Sequence, residues 1–158
     1  MLRIKKRDLR IIASLRKDAR QRLTTISRNL GIPVSTIYDR IKQHDAGLVI
    51  KHTALIDFNQ LGFVTRAFIA LKSTREKRGY IRELLEKNPY INSLHKINNG
   101  YDFFVEAVFC SLSDLEKFLD SIEKYTVQKQ VYYCIEELGR ETFLDDPKKI
   151  ESLKEFEK

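Results

Sequence analysis

The sequence predicts an α+β protein with an N-terminal winged helix-turn-helix domain and a C-terminal ferredoxin-like βαββαβ domain. Three observations support this fold class. Basic residues are concentrated at the N-terminus, two short helical patterns flank Gly31 there, and strand-like and helix-like segments alternate after residue 62. The predicted parts are residues 1–52 for the first domain, 53–62 for a strand-like hinge linker, 63–140 for the second domain and 141–158 for a C-terminal tail.

The charge distribution separates the chain into two parts of different character. Across 158 residues, 29 Lys and Arg stand against 22 Asp and Glu, a net charge of +7. Residues 1–52 hold 13 basic and 4 acidic side chains, a net of +9, whereas residues 53–158 hold 16 and 18, a net of −2. A basic surplus confined to one domain indicates a polyanionic partner, and nucleic acid is the leading candidate. The alternative is a basic face that serves only solubility.

Composition excludes several classes of protein. Hydrophobic residues make up 42% of the chain and charged residues 32%, which is unlike a disordered or low-complexity sequence. No apolar run approaches the ~18 residues of a transmembrane helix, and the first residues lack the apolar segment of a secretory signal. Cys110 and Cys134 are too few for a disulfide framework, and we expect both in the core. These features predict a soluble cytoplasmic protein.

Helical periodicity accounts for the first part of the chain. Leu9, Ile12 and Leu15 form one apolar stripe over residues 5–17. A second pattern begins at Leu23 and ends before a glycine, the residue type that closes a helix cheaply in the left-handed conformation.

A third helical pattern follows Pro33, whose missing N–H suits the first turn of a helix. Val34, Ile37 and Ile41 share one face and are predicted to point inward. The second and third patterns, with the glycine-containing turn between them, have the length and turn chemistry of a helix-turn-helix. Residues 48–56 are rich in β-forming side chains and predict a small wing that continues into the strand-like linker.

The second domain alternates between strand and helix patterns. Strands are predicted over residues 63–72, 91–97, 103–110 and 129–138, and helices over residues 76–87 and from Ser113 onward. Ser113 and Glu116 have the spacing of a capping box at the start of the second helix. The order β-α-β-β-α-β is typical of a ferredoxin-like fold, in which both helices lie on one side of an antiparallel sheet. A domain of about 80 residues buries only about 60–65% of its unfolded surface, so we expect it to pair with a second copy.

Two further sets of apolar residues need a place in this fold. The strand aromatics are predicted to lie in the core or in a dimer contact; they are Phe103, Phe104, Phe109, Tyr132 and Tyr133. A platform for single-stranded nucleic acid is their alternative, which the acidic balance of the second domain disfavours. Ile150, Leu153 and Phe156 predict a short helix in the tail after Pro147.

Three motifs, in this order, resemble the Lrp/AsnC (feast/famine) family of transcription regulators along roughly residues 4–140. Residues 31–42 are similar to the family's G-L-S-x-S-T-V-x-x-R-I-x, and residues 47–62 to its wing and hinge. Residues 100–104 are similar to its T-G-x-x-D-[YF] at the central turn of the sheet. The resemblance implies a RAM-type second domain and a homodimer or higher assembly, such as a tetramer or octamer. It also implies a palindromic operator in duplex DNA, and a small-molecule effector such as an amino acid.

The third helix carries the predicted base-reading side chains, because a helix fits the major groove and its N-terminal half meets the base edges. Its outer and flanking faces hold Ser35, Thr36, Tyr38, Asp39, Lys42 and Gln43. Arg40 resembles the arginine of the family motif and is expected to bond guanine or the DNA backbone. Phosphate contacts are predicted for Arg20, Arg22, Arg28, Lys51 and His52. The alternative for all of them is an ordinary solvated surface.

The turn from Asn98 to Asp102 is the predicted effector site, since the resemblance implies that small molecules bind near this turn where dimers meet. The turn comprises Asn98, Asn99, Gly100, Tyr101 and Asp102. Asp102 is expected to hold an α-amino group, and the asparagine amides or free N–H groups a carboxylate. The alternative is a hairpin turn that uses Asn, Gly and Asp for backbone reasons alone.

The leading interpretation is a sequence-specific DNA-binding transcription regulator rather than an enzyme, with no cofactor or metal. His44, His52 and His95 lie in different elements without metal-ligand spacing, and no nucleophile elbow or phosphate-binding glycine loop is present. Two alternatives stay open. One is an enzyme on the same scaffold, because siroheme decarboxylases resemble the family in fold. The other is a partner subunit that assembles with a complete regulator.

Overall fold

The computed structural model describes residues 4–45 and 47–152. Over these residues the chain forms two compact units. One, the helical unit, combines the residues up to Ala54 with those from Leu138 onward; the other, the sheet unit, runs from Leu55 to Glu137. The chain therefore passes between the units twice. Within the described ranges, none of the helices has the length and apolar character that a membrane crossing requires.

The helical unit is built around three helices, α1 (Lys6–Lys17), α2 (Leu23–Leu30) and α3 (Val34–Asp45). Its buried core consists of Ile11, Ile26, Ile32 and Ile37. Gly31 ends α2 with a φ of 68° and donates its N–H to the Ser27 carbonyl at 2.9 Å, as expected for a left-handed cap. Two helices joined by three residues make the predicted helix-turn-helix.

Two predictions for this unit are wrong. Val34 is exposed rather than inward, because it is the first residue of α3. The small wing and strand-like linker predicted over residues 48–56 form no strand, and these residues have no regular secondary structure. A strand needs a neighbour for its backbone hydrogen bonds, and among the described residues the helical unit offers no strand. The N–H groups of Gly47, Leu48 and Val49 converge instead on the His44 carbonyl at 2.8–3.1 Å.

The C-terminal tail packs on α1 instead of forming a separate element. Ile150 is fully buried in a small cluster with Leu9 and Ala13 of α1, and Leu144 packs against the same cluster. The predicted tail helix is a single 3₁₀ turn, Lys149–Ser152, while Leu153 and Phe156 lie outside the described residues. Because α1 also contributes Ile11 to the main core, it is buried on two sides.

One arginine holds the tail to the end of α1 by polar contacts. The Arg16 guanidinium donates to the backbone carbonyls of Phe143 (2.6 Å) and Glu141 (3.1 Å). It also pairs with the Glu141 carboxylate at 2.8 Å. Several hydrogen bonds from one planar guanidinium fix the orientation of the bonded groups as well as their distance. The tail is therefore a structural part of the helical unit.

The sheet unit confirms the predicted order of strands and helices. Its elements are β1 (Thr65–Ser73), α4 (Arg78–Lys87), β2 (Ile91–Lys96), β3 (Phe103–Phe109), α5 (Leu112–Glu123) and β4 (Thr126–Tyr133). The strands lie in the order β2-β3-β1-β4, and all neighbouring pairs are antiparallel. Helix α5 starts earlier than predicted: its cap is Ser111 rather than Ser113, and the Ser111 Oγ accepts the Asp114 N–H at 3.2 Å.

Alternation along the strands places the core between the sheet and its two helices. Ile69 and Leu71 of β1 and Val105 of β3 are fully buried together with Ile81 of α4 and Leu115 of α5. The aromatic residues of the strands differ in their burial. Phe103 and Phe109 are core residues, Phe104 is half-buried, and Tyr132 and Tyr133 are exposed.

Both cysteine predictions are wrong, because Cys110 is exposed and Cys134 only half-buried. Each follows the last residue of its strand.

Candidate nucleic-acid interface and effector turn

Helix α3 has one apolar stripe that faces inward, and its remaining faces carry polar side chains. Ile37 is fully buried and Ile41 half-buried on that stripe. Thr36 is also half-buried, at its margin. The other predicted base-reading residues on these faces are exposed; they are Ser35, Tyr38, Asp39, Lys42 and Gln43. A 12-residue helix with its donors and acceptors exposed has the shape that the major groove accepts.

The predicted phosphate contacts are all exposed and all lie in the helical unit; they are Arg20, Arg22, Arg28, Lys51 and His52. Arg22 precedes the first residue of α2, and Arg28 lies in its last turn. The His52 Nε2 is 3.1 Å from the Asp45 Oδ1, so this side chain is held at the last residue of α3. The structure thus places the basic candidates on the unit that contains α3.

Arg40 is turned toward the protein. Its Nε lies 3.6 Å from the Oδ1 of Asp8 in α1, and its Nη1 donates to the Gln43 Oε1 at 3.0 Å. The guanidinium is half-buried between these partners. One donor of the guanidinium is thereby bonded within α3 and another faces Asp8 in α1.

Sequence reasoning missed Asp8 as a residue of this site. It is 2% exposed, although it stands among basic neighbours near the start of α1. The signal was its spacing: Asp8 precedes Ile11 by three residues and Leu15 by seven, which places it on the inward stripe of the helix.

The predicted effector turn joins β2 to β3. Asn99 and Gly100 have φ angles of 63° and 91°, and the Ile97 N–H donates to the Asp102 carbonyl at 3.0 Å. Asn and Gly enter the left-handed region at low cost, so these residue types serve the backbone here. Asn98 is exposed like both of them. The Tyr101 hydroxyl accepts a hydrogen bond from Gln128 at 2.9 Å.

The Asp102 carboxylate already has partners on both oxygens. Its Oδ2 accepts from the backbone N–H (2.9 Å) and the hydroxyl (3.2 Å) of Ser73 at the end of β1. Its Oδ1 pairs with the Nε of Arg78, the first residue of α4, at 2.8 Å. Ser73 is buried, whereas Arg78 is exposed. An ammonium group at Asp102 would therefore have to share the carboxylate with Arg78.

A polar cluster around the buried Glu106, also missed from the sequence, lies on the face of the sheet opposite its helices. Glu106 accepts from the Arg66 Nε at 2.6 Å, from Asn92 at 2.8 Å and from Ser93 at 3.1 Å. Arg66 also pairs with Glu137 at 2.7 Å. Burial raises the pKa of Glu106, but hydrogen bonds from Asn92 and Arg66 and the charge of Arg66 outweigh it, so this pKa lies below its usual value.

The described residues contain no group of three or more His, Cys, Asp and Glu side chains able to hold a metal ion.

Comparison with known proteins places the chain in a family, although no family model matches it. HTH-type transcriptional regulator FL11 of Pyrococcus horikoshii is 34% identical over 116 residues, which cover 73% of this chain and 77% of that protein. The chain belongs to the Lrp/AsnC family of transcription regulators. This Lrp/AsnC chain is accordingly a regulator and not an enzyme.

Solved structures agree with the fold of the Lrp/AsnC chain. LrpC of Bacillus subtilis superposes with a TM-score of 0.81 at 19% identity, covering 87% of this chain and 99% of that one. A transcriptional regulator of Neisseria meningitidis, solved in complex with L-Met, gives a TM-score of 0.80 at 22% identity, covering 88% and 94%. The predicted fold class is therefore confirmed over most of the chain.

Proposed function

We propose that this Lrp/AsnC regulator binds a specific duplex DNA sequence through α3. The observation that carries the proposal is the exposed polar surface of α3 on the strongly basic part of the chain. Tyr38 is 56% exposed, and residues 1–52 hold 13 Lys and Arg against 4 Asp and Glu. Short hydroxyl side chains near a helix N-terminus can meet base edges or phosphate, and the helix dipole favours phosphate there.

Within this proposal the polar side chains of the helical unit have two roles. The base-reading candidates on α3 are Ser35, Thr36, Tyr38, Asp39, Lys42 and Gln43. The proposed phosphate contacts are Arg20, Arg22, Arg28, Lys51 and His52. Contacts of this kind fix the position of the protein on the duplex without reading the base sequence. Arg40 is assigned to neither role, because its guanidinium already faces Asp8 and Gln43.

The active assembly in this proposal is a homodimer joined through the sheet face opposite α4 and α5. Phe68 and Phe104 are half-buried and stacked on that face, with ring centroids 5.9 Å apart. The helices of the sheet unit cover its other face, so a second copy would bury these rings. A two-fold dimer reads a palindromic operator. Assembly to a tetramer or octamer would repeat this dimer.

An amino acid is the effector class that we propose for the Asn98–Asp102 turn. The L-Met complex of the Neisseria meningitidis regulator, which has the same fold, supports this class. Arg78 and Asp102 supply one positive and one negative group at a distance of 2.8 Å. An amino-acid zwitterion could align its carboxylate with Arg78 and its ammonium group with Asp102. The pair would then exchange an internal contact for two contacts with the ligand.

Selection of bound duplexes from a random DNA pool by the full chain tests the proposed function. The expected result is a palindromic consensus whose half-sites lie about one helical turn apart. If repeated rounds enrich no sequence above the starting pool, the proposal is wrong.

The first mutational prediction separates base reading from phosphate contact. Tyr38→Ala should weaken binding to the selected duplex by about 1–3 kcal/mol and leave binding to random duplex unchanged. The reason is that only the selected duplex offers the base that Tyr38 contacts. Arg28→Ala should weaken both equally and reduce the salt slope by about 0.9. Quantitative gel shifts at several salt concentrations measure both effects.

Arg82→Ala is the control for this comparison, because Arg82 is exposed in the sheet unit and pairs with Glu86 on its own helix. It should bind both duplexes like the unmodified chain. Equal losses for Tyr38→Ala on selected and random duplex would contradict the assignment.

The second prediction concerns the effector. Arg78→Ala should weaken binding of the effector amino acid by about ten- to a hundredfold, because it removes a charged hydrogen bond worth ~1.5–3 kcal/mol. Isothermal titration with L-Met and a panel of other amino acids supplies the measurement. Arg82→Ala on the same helix is again the matched control. An unchanged affinity in Arg78→Ala would exclude this placement of the ligand.

A further inference from the structure

We propose that Asp8 and Arg40 form a positioning pair that holds the recognition helix α3 against α1, so that an acidic residue is required for DNA binding. This inference rests on the proposed function of α3. In this inference Arg40 acts on DNA binding through other residues. Asp8 supports the binding of DNA, although its own negative charge would repel that polyanion.

The environment of Asp8 demands a compensating partner. Its side chain is 4% exposed, and its Oδ1 has no hydrogen-bond partner within the described residues. A buried carboxylate without compensation is strongly destabilising. Its place in the first turn of α1 supplies part of that compensation, because the helix N-terminus favours negative charge. The Arg40 Nε at 3.6 Å supplies an opposite charge from a different helix.

Arg40 is held from two directions. Asp8 lies on its α1 side, and the Gln43 Oε1 accepts from its Nη1 at 3.0 Å on the α3 side. A guanidinium is planar and presents its donors in fixed directions. The Asp8 contact ties α3 to α1, and the Gln43 bond, which lies within α3, fixes the direction of the guanidinium. The same contact orients Gln43, which is one of the proposed base-reading residues.

A positioning role and a purely electrostatic role of Asp8 lead to opposite effects when its charge is removed. Asp8 belongs to a segment in which 13 Lys and Arg outnumber 4 Asp and Glu. If Asp8 acted only through its charge, its neutralisation would strengthen attraction to the phosphate backbone. If Asp8 positions α3, its neutralisation weakens binding to the selected duplex. The direction of the change therefore distinguishes the two roles.

The experiment compares Asp8→Asn with Asp18→Asn in the full chain, using gel shifts on the selected duplex. Asp18 is the matched control: it is exposed at the other end of α1, and its Oδ1 accepts the Arg20 N–H at 2.9 Å, which an asparagine oxygen can also do. We expect Asp8→Asn to bind about tenfold or more weakly, and Asp18→Asn to bind as tightly as the unmodified chain or slightly more tightly. Asp8→Asn binding that matches or exceeds that of Asp18→Asn overturns the proposal.

A second variant guards against simple misfolding. Asp8→Asn combined with Arg40→Gln removes both charges and leaves no unpaired buried ion, so it should fold. We expect it to bind no more weakly than Arg40→Gln alone, because the two residues act as one unit. Arg40→Gln should also retain the salt slope of the unmodified chain, since Arg40 does not contact phosphate. Losses that simply add, or a reduced slope, overturn the proposal.

Failure of this inference is distinguishable from failure of the proposed function. If the unmodified chain enriches no duplex, the proposed function fails, and the positioning role fails with it. If the unmodified chain binds its selected duplex and Asp8→Asn binds like Asp18→Asn, the positioning role alone fails.

Discussion

Replacing Ile150 with alanine should lower the free energy of unfolding of the helical unit by about 2–5 kcal/mol. Ile150 is fully buried against Leu9 and Ala13 of α1, far from them in sequence. Truncation removes apolar contacts and leaves a cavity that the surrounding structure fills only in part. Urea unfolding followed by amide hydrogen exchange in α1 measures the loss. Amides of the sheet unit should keep their protection, because the cluster lies within the helical unit.

Phe143→Ala is the matched control for Ile150→Ala. Phe143 is a larger apolar residue of the same tail, but it is 69% exposed. Its backbone carbonyl, which accepts from Arg16, is unaffected by the substitution. We expect a change within about 0.5 kcal/mol, as for most surface positions. Equal losses for the two variants, or no loss for Ile150→Ala, would show that the tail does not stabilise α1.

Replacing Arg66 with alanine should destabilise the sheet unit by about 3–5 kcal/mol at neutral pH. The substitution removes the cation that pairs with Glu106 and Glu137 and leaves the Glu106 carboxylate buried. Urea unfolding monitored through the amides of β1 and β3 measures the effect. All variants are compared at one protein concentration, because the stability of the proposed dimer would depend on it.

The control for Arg66→Ala is Lys87→Ala, which removes an exposed ion pair with Glu83 on the same helix. A pair of this kind contributes about 0.3–0.5 kcal/mol. If Arg66→Ala costs no more than Lys87→Ala, the cluster does not stabilise the sheet.

The same cluster gives the sheet unit a pH dependence of defined sign. The hydrogen bonds from Asn92 and Arg66 outweigh burial, so the pKa of Glu106 is lower in the folded chain than in the unfolded chain. Such a carboxylate contributes stability above its unfolded pKa, about 4.3, and loses it as the pH falls through the folded pKa. Glu106→Gln should therefore flatten the fall in stability below about pH 4.3. If Glu106→Gln leaves the dependence of stability on pH unchanged in this range, Glu106 is not the origin of the acid lability.

Local sequence patterns were sufficient to predict the structure wherever it depends on neighbouring residues. Gly31 ends α2 because its residue type suits the left-handed conformation. The alternation through β1 places Ile69 and Leu71 in the core, as strand periodicity requires. Boundaries were less secure: the capping-box spacing predicted Ser113 as the cap of α5, whereas the cap is Ser111.

Contacts between distant parts of the chain were beyond such patterns. The predicted wing and strand-like linker over residues 48–56 find no strand to pair with among the described residues of the helical unit, and β-forming side chains alone do not supply one. The contact between Asp8 and Arg40 joins two helices that are far apart in sequence. The contacts of Asp102 with Ser73 and Arg78 likewise join residues that are distant in sequence.

Charge, periodicity and turn chemistry are local properties, so the amino-acid sequence predicts the basic and acidic parts of this regulator, its helix-turn-helix and its βαββαβ order. The packing of the tail on α1 is different, because Arg16 and Glu141 are bonded across 125 positions of sequence. The contact of Arg40 with Asp8 and the pairing of buried Glu106 with Arg66 are also contacts between distant residues. Burial and ion pairing of this kind depend on which surfaces meet in the folded chain, and no short stretch of sequence contains both partners.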